Sequence, residues 1–137
     1  MQKIVYFLSL LVFLSGSVIY GQVNEENVEK YGSGKVFRNV DSPASFPGGP
    51  EAMREFFKLY FDAYVEQGNA LESAIEGYVE ARFIVEPNGK IKYVEIIKSY
   101  TQAYDEEMIR TIKRMPKWTP AMVDGKPVRS FQLISTV

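Results

Sequence analysis

Between Gly77 and Ser99 the chain places two alternating apolar/polar runs around Pro87-Asn88-Gly89-Lys90, and no other stretch restricts the fold as strongly. Val79, Ala81, Phe83 and Val85 fall on one face of the first run, with Tyr78, Glu80, Arg82 and Glu86 mainly on the other. With Asn88-Gly89 as a two-residue loop, Phe83 lies opposite Val94, Ala81 opposite Ile96, and Arg82 opposite Glu95 as a favourable cross-strand pair. With Pro87-Asn88-Gly89 as a three-residue loop and Gly89 in a bulge, Val85 pairs with Ile91 instead. The apolar phase slips between Ile91 and Val94, which marks a second bulge. In either register the result is an antiparallel ribbon with one dry face that needs a cover.

The 137 residues suffice for one modest core. An aromatic content of 14% points to a core filled with rings. The formal charge of −1 gives no field for steering toward nucleic acid or an anionic membrane, so no nucleic-acid partner is expected. Cysteine and histidine are both absent. That rules out disulfides, thiolate nucleophiles, Ser-His pairs and the usual nitrogen and sulfur metal ligands. No catalytic residue, metal or cofactor is expected. The carboxylates sit at helix ends and on surfaces, with no paired acid/base geometry.

Met1-Gln2-Lys3, the apolar run Ile4–Leu14 and the small residues before Gly21 follow the plan of a signal peptide, with 1–21 removed after Gly21. The alternative is an uncleaved anchor, although Ile4 to Tyr20 is short for a span and is interrupted by Ser15-Gly16-Ser17. Residues 22–35 lack apolar periodicity and read as a flexible leader, leaving 36–137 as the domain.

Within that domain, Val36–Val40 is a candidate first strand. Asp41–Gly49 is a loop whose Phe46 plugs the edge of the core, since its glycines are not spaced to cradle phosphate. Pro50-Glu51 opens a helix whose Met53, Phe56, Phe57, Tyr60, Phe61 and Tyr64 form one aromatic face over the hairpin. Gly68-Asn69 stops it, and Ala70–Glu76 adds a turn or two with Leu71 and Ile75 inward.

A second helix is expected from about Tyr104, with Tyr104, Met108, Ile109, Ile112 and Met115 inward and Pro116 at its end. Asp105-Glu106-Glu107 and Arg110, Lys113 and Arg114 read as a solvated face matched to the helix dipole, Glu106 pairing with Arg110. Trp118 is a core wedge beneath this helix. Asp124–Pro127 is a turn. Val128–Val137 is the final extended run, with Phe131 and Leu133 on one side, Ser130 and Gln132 on the other, and Ile134 breaking the alternation.

Five groups of residues in this order resemble the C-terminal domain of TonB. They are Phe46-Pro47-Gly48-Gly49; the alternating run from Gly77 through Val85 with Pro87-Asn88-Gly89-Lys90; Asp105–Arg110; Met115-Pro116-Lys117-Trp118-Thr119-Pro120; and Gly125–Val128. The resemblance spans about Val36 to Ile134. It implies an α+β fold, a small antiparallel sheet of about three strands plus a short N-terminal strand with two helices on one face, as the periodicities also ask.

The resemblance further implies a periplasmic, non-enzymatic module that takes an extended peptide, the TonB box of an outer-membrane transporter, as a strand beside its last strand. Carried onto this chain, that edge is Val128, Arg129, Ser130, Phe131, Gln132, Leu133 and Ile134. The chain differs from the energy-transducing members in having no histidine, only the proline-free residues 22–35 where a long Pro-rich spacer usually stands, and Glu66-Gln67 where a Tyr-Pro usually stands. Two alternatives follow: a short transducer facing the periplasm from the inner membrane through an uncleaved segment, or a homodimer self-paired along the same edge.

Overall fold

In the computed structural model, which describes residues 30–63 and 77–136, β1 (Glu80–Val85) is the middle strand of a three-stranded antiparallel sheet. β2 (Ile91–Lys98) and β5 (Ser130–Ser135) flank it. A separate two-stranded hairpin consists of β3 (Ala121–Val123) and β4 (Lys126–Val128). Two helices complete the unit formed by Ser33–Val137: α1 (Gly49–Phe57), continued by a π-helical turn over Lys58–Asp62, and α2 (Gln102–Lys113). This is the expected α+β class. The residues of the expectations for 1–21, most of 22–35, Tyr64, Glu66-Gln67 and Gly68–Glu76 lie outside the described residues.

The hairpin holds both of the registers its sequence allows. Near the turn Val85 pairs with Ile91 and Ile84 with Lys92, whereas farther out Arg82 pairs with Glu95 and Ala81 with Ile96. The turn is the three-residue form, closed by Glu86 N–H to Lys90 O at 2.8 Å and Gly89 N–H to Glu86 O at 2.8 Å, with Gly89 at φ 81°. The change of register falls where Tyr93 takes φ 54°, an inserted residue that absorbs the slip in apolar phase. On the outer face Arg82 Nη2 lies 2.5 Å from Glu95 Oε1, the pair the sequence predicts.

Val79, Ala81, Phe83 and Val85 are fully buried, and the helices lie on that side. Trp118 is buried between Phe46 and Phe83, at ring-centroid distances of 5.9 and 5.4 Å, both edge-on. Phe46 thus reaches the core from its loop, and it also meets Phe56 of α1 at 5.6 Å. The loop turns into α1 because Gly48 and Gly49 accept φ 83° and 80°, with Gly49 N–H bonded to Phe46 O. Of the aromatic face, Phe61 is buried against Tyr104, Phe57 packs at its edge, and Tyr60 stays half open over Phe56.

Four expectations need correction. Val36–Val40 is not a strand: Phe37 alone makes an isolated parallel bridge, to Ser130, because the neighbouring residues find no partner backbone in register. α2 starts at Gln102, since Thr101 caps it by accepting from the Tyr104 N–H at 3.3 Å. Its charges are not all solvated. Glu107 is 3% exposed, bonded to Arg110 at 2.5 Å and within 3.5 Å of both Arg114 and Thr111. Arg110 therefore pairs with Glu107, while Glu106 accepts from Gln102 at 2.9 Å. Finally, alternation along the last run is unbroken: Ser130 and Ile134 are buried on the core side, and Leu133 is 58% exposed on the other.

Candidate functional site

Strand β5 lies at the edge of its sheet, so only one side of its backbone is spent on β1. The phase is fixed by two hydrogen bonds on the far side. Phe37 N–H donates to Arg129 O at 2.8 Å, and Phe131 N–H donates to Phe37 O at 3.2 Å. Odd-numbered residues therefore turn their backbone groups outward, and Ser130, Gln132 and Ile134 turn theirs toward Val85, Phe83 and Ala81. Thr136 continues the inward phase by donating its N–H to Val79 O at 3.2 Å.

This phase sorts the seven residues of the expected edge. Val128 is not on it, because it belongs to β4 and pairs with Ala121. The separation arises at Asp124-Gly125, whose φ values of 51° and 72° form the tight two-residue turn that folds β4 back on β3. Arg129 and the N–H of Phe131 are on the edge but meet Phe37. Ser130, Gln132 and Ile134 point their backbone groups inward. Among the described residues no backbone group pairs with the outward side of Leu133, which leaves it as the open step of the edge.

The surroundings of that step are asymmetric. Toward the start of β5, the Arg129 guanidinium holds Glu86 through Nε at 3.1 Å to each carboxylate oxygen. It also donates from Nη1 to the carbonyls of Ser33 and Gly34 at 3.3 and 3.0 Å. Phe131 lies between the guanidinium groups of Arg38 and Arg82, at 5.0 and 5.1 Å from its ring centroid. Toward the end of β5, a groove of about 420 Å³ runs between α1 with its π-helical turn and the strand. Met53, Phe57, Phe61 and Ile134 line it, together with Arg54 and Asp62.

The remaining expected residues are structural. Phe46, Phe83 and Trp118 form the aromatic centre, and Pro47, Gly48 and Gly49 lead into α1. Asn88 Oδ1 accepts from the Lys90 N–H at 3.0 Å and steadies the hairpin turn. Pro116 follows the last turn of α2. The sequence reading missed Phe37 as an occupant of the edge and missed the β3–β4 hairpin. The Asp124-Gly125 pair was a signal for the second. For the first, no sequence signal distinguishes a one-residue bridge from a strand.

A small α+β domain with two helices on one sheet face and an open-sided last strand is an architecture that unrelated families can share. Comparison with protein families narrows it. The model for the Gram-negative bacterial TonB protein C-terminal matches residues 68–134, which include β1 to β4, α2 and all of β5 but Ser135, and over this segment the chain is similar to that family. The match begins after α1, so the likeness seen in Phe46–Gly49 lies outside it. No curated protein and no solved structure matches the chain. The family is periplasmic, and its members are binding modules, not enzymes. Among the described residues no helix is long and apolar enough to cross a membrane.

Proposed function

We propose that this domain binds an extended peptide segment, of the kind that TonB-dependent outer-membrane transporters present to the periplasm, by adding it as a strand to β5. The observation that carries this reading is the outward N–H and C=O of Leu133 on a sheet edge that no described strand covers. Backbone hydrogen bonds supply the affinity of such an addition, and side chains on alternate positions supply the choice. The groove lined by Met53, Phe57 and Ile134 flanks the same end of β5 and offers the partner's core-side residues an apolar wall. The chain would serve in the periplasm after removal of 1–21, as an accessory at the transporters. Catalysis has no part in it.

The decisive substitution is Leu133→Pro. A proline there deletes an N–H that points away from β1, so the β1–β5 ladder keeps its own bonds. Calorimetric titration with a TonB-box peptide should show binding to the wild type and at least a tenfold weaker interaction for L133P, at a melting temperature lowered only modestly. Gln132→Pro is the contrast: its N–H faces Phe83, so that variant should lose stability first. Equal affinity of L133P and wild type would contradict the reading.

A further inference from the structure

A partner that covers the whole of β5 must take the Arg129 carbonyl and the Phe131 N–H, and both already belong to Phe37. We propose that Ser33–Arg38 is an internal competitor for the β5 edge, a clasp that closes its first half and must be released before a long peptide can pair along it. The proposal rests on strand addition at β5 and describes how that site is regulated.

The clasp is built to hold without being locked. Its attachments are the two backbone bonds of Phe37, the two carbonyls of Ser33 and Gly34 that accept from Arg129, and the Arg38 guanidinium over Phe131. Lys35 adds a contact to the clasp's own Phe37, 4.4 Å from its ring centroid. No side chain from Ser33 to Arg38 is buried. Releasing Ser33–Arg38 therefore costs hydrogen bonds that water or an incoming strand can replace, and takes no buried side chain of the segment itself into water.

The chain just beyond the clasp is fixed differently. The Asp41 and Ser42 N–H groups donate to Met122 O at 2.9 and 3.2 Å, Ser42 O accepts from Met122 N–H, and Ala44 and Phe46 are buried. The segment can consequently leave the edge by rotation at about Asn39–Val40 while its root stays in place. A short partner would pair at Leu133 with the clasp closed, and a long one would exchange Phe37 for its own backbone at Arg129 and Phe131. The same two hydrogen bonds are made in both states, so the exchange is nearly balanced and sensitive to anything that holds or pulls Ser33–Arg38.

The test uses the full chain and a synthetic TonB-box peptide of about eight residues, long enough at ~3.3 Å per residue to run the length of β5. Phe37→Pro removes the donor to Arg129 O, and Arg38→Gln removes the guanidinium over Phe131 while leaving the backbone unchanged. Peptide affinity should rise roughly tenfold in F37P and about threefold in R38Q, each substitution weakening the clasp by about one or a fraction of one net interaction. A peptide of about four residues should bind all three proteins alike. If both peptides bind but neither substitution favours the longer one, strand addition stands and the clasp is overturned. If no protein binds either peptide, strand addition fails and the clasp fails with it. F37P removes a residue that is only half-buried, and R38Q supplies the same comparison should F37P not fold.

Discussion

Replacing Phe83 by aspartate should abolish cooperative folding of the domain. Phe83 is fully buried in the middle strand, with the Trp118 ring edge-on at 5.4 Å and Phe46 on the far side of that tryptophan. Truncating a buried phenylalanine to alanine already costs about 3–5 kcal/mol. A domain of this size has roughly 5–15 kcal/mol in total. Aspartate adds a carboxylate that must be desolvated, and the buried groups around it are apolar. Far-ultraviolet circular dichroism against temperature should show no transition for F83D and a lowered but cooperative one for Phe83→Leu. A melt of F83D at the wild-type temperature would show that the dry face of the hairpin is not the foundation of the fold.

Gly89→Ala should be nearly as damaging, for a different reason. Gly89 sits at φ 81°, where a side chain costs about 1–2 kcal/mol. A Cβ built on it would also stand 2.2 Å from the Trp118 carbonyl oxygen. That carbonyl is not free to retreat, because Trp118 N–H donates to Gly89 O at 2.9 Å and Thr119 N–H to Ser45 O at 2.9 Å. The overpacking adds about 1–3 kcal/mol, so the expected loss is about 3 kcal/mol. Chemical denaturation should shift to lower midpoint with an unchanged slope. Asn88→Ala, which removes only the side-chain bond to the Lys90 N–H, should cost about 1 kcal/mol. If the two losses were equal, the contact between the hairpin turn and the tryptophan loop would have no energetic weight.

Both predictions rest on residues that the sequence already marked, and the reason is periodicity. The alternation from Val79 to Val85 and the helical spacing of Tyr104, Met108 and Ile112 each repeat long enough to fix a buried face. The two competing registers of the hairpin were also legible, as was a bulge between Ile91 and Val94, but not that the bulge joins one register to the other. Only the positive φ of Tyr93 reconciles them, and a tyrosine carries no local signal for that conformation. Shorter elements gave less. The arms of β3 and β4 have three residues each, too few for alternation to register, and they divided an edge that reads as continuous from Val128.

The candidate site was hardest to read because its determinant is the direction of backbone groups. Residue type does not say whether Leu133 or Gln132 turns its N–H outward; the pairing of Gln132 with Phe83 and the bridge from Phe37 do. Glu107 shows the same limit for charge. Its place in a dipole-matched helix was evident, yet burial by Arg110, Arg114 and Thr111 depends on how α2 rests on the sheet.

The most direct measurement of strand addition at β5 is amide hydrogen exchange, residue by residue, with and without a TonB-box peptide. In the free protein the amides of Ser130, Gln132 and Ile134 should exchange slowly, Phe131 at an intermediate rate through its bond to Phe37, and Leu133 fast. Saturating peptide should slow Leu133 by one to two orders of magnitude and leave Gln132 and Ile134 unchanged. Fast exchange of Leu133 in the presence of bound peptide would place the peptide elsewhere and contradict the account.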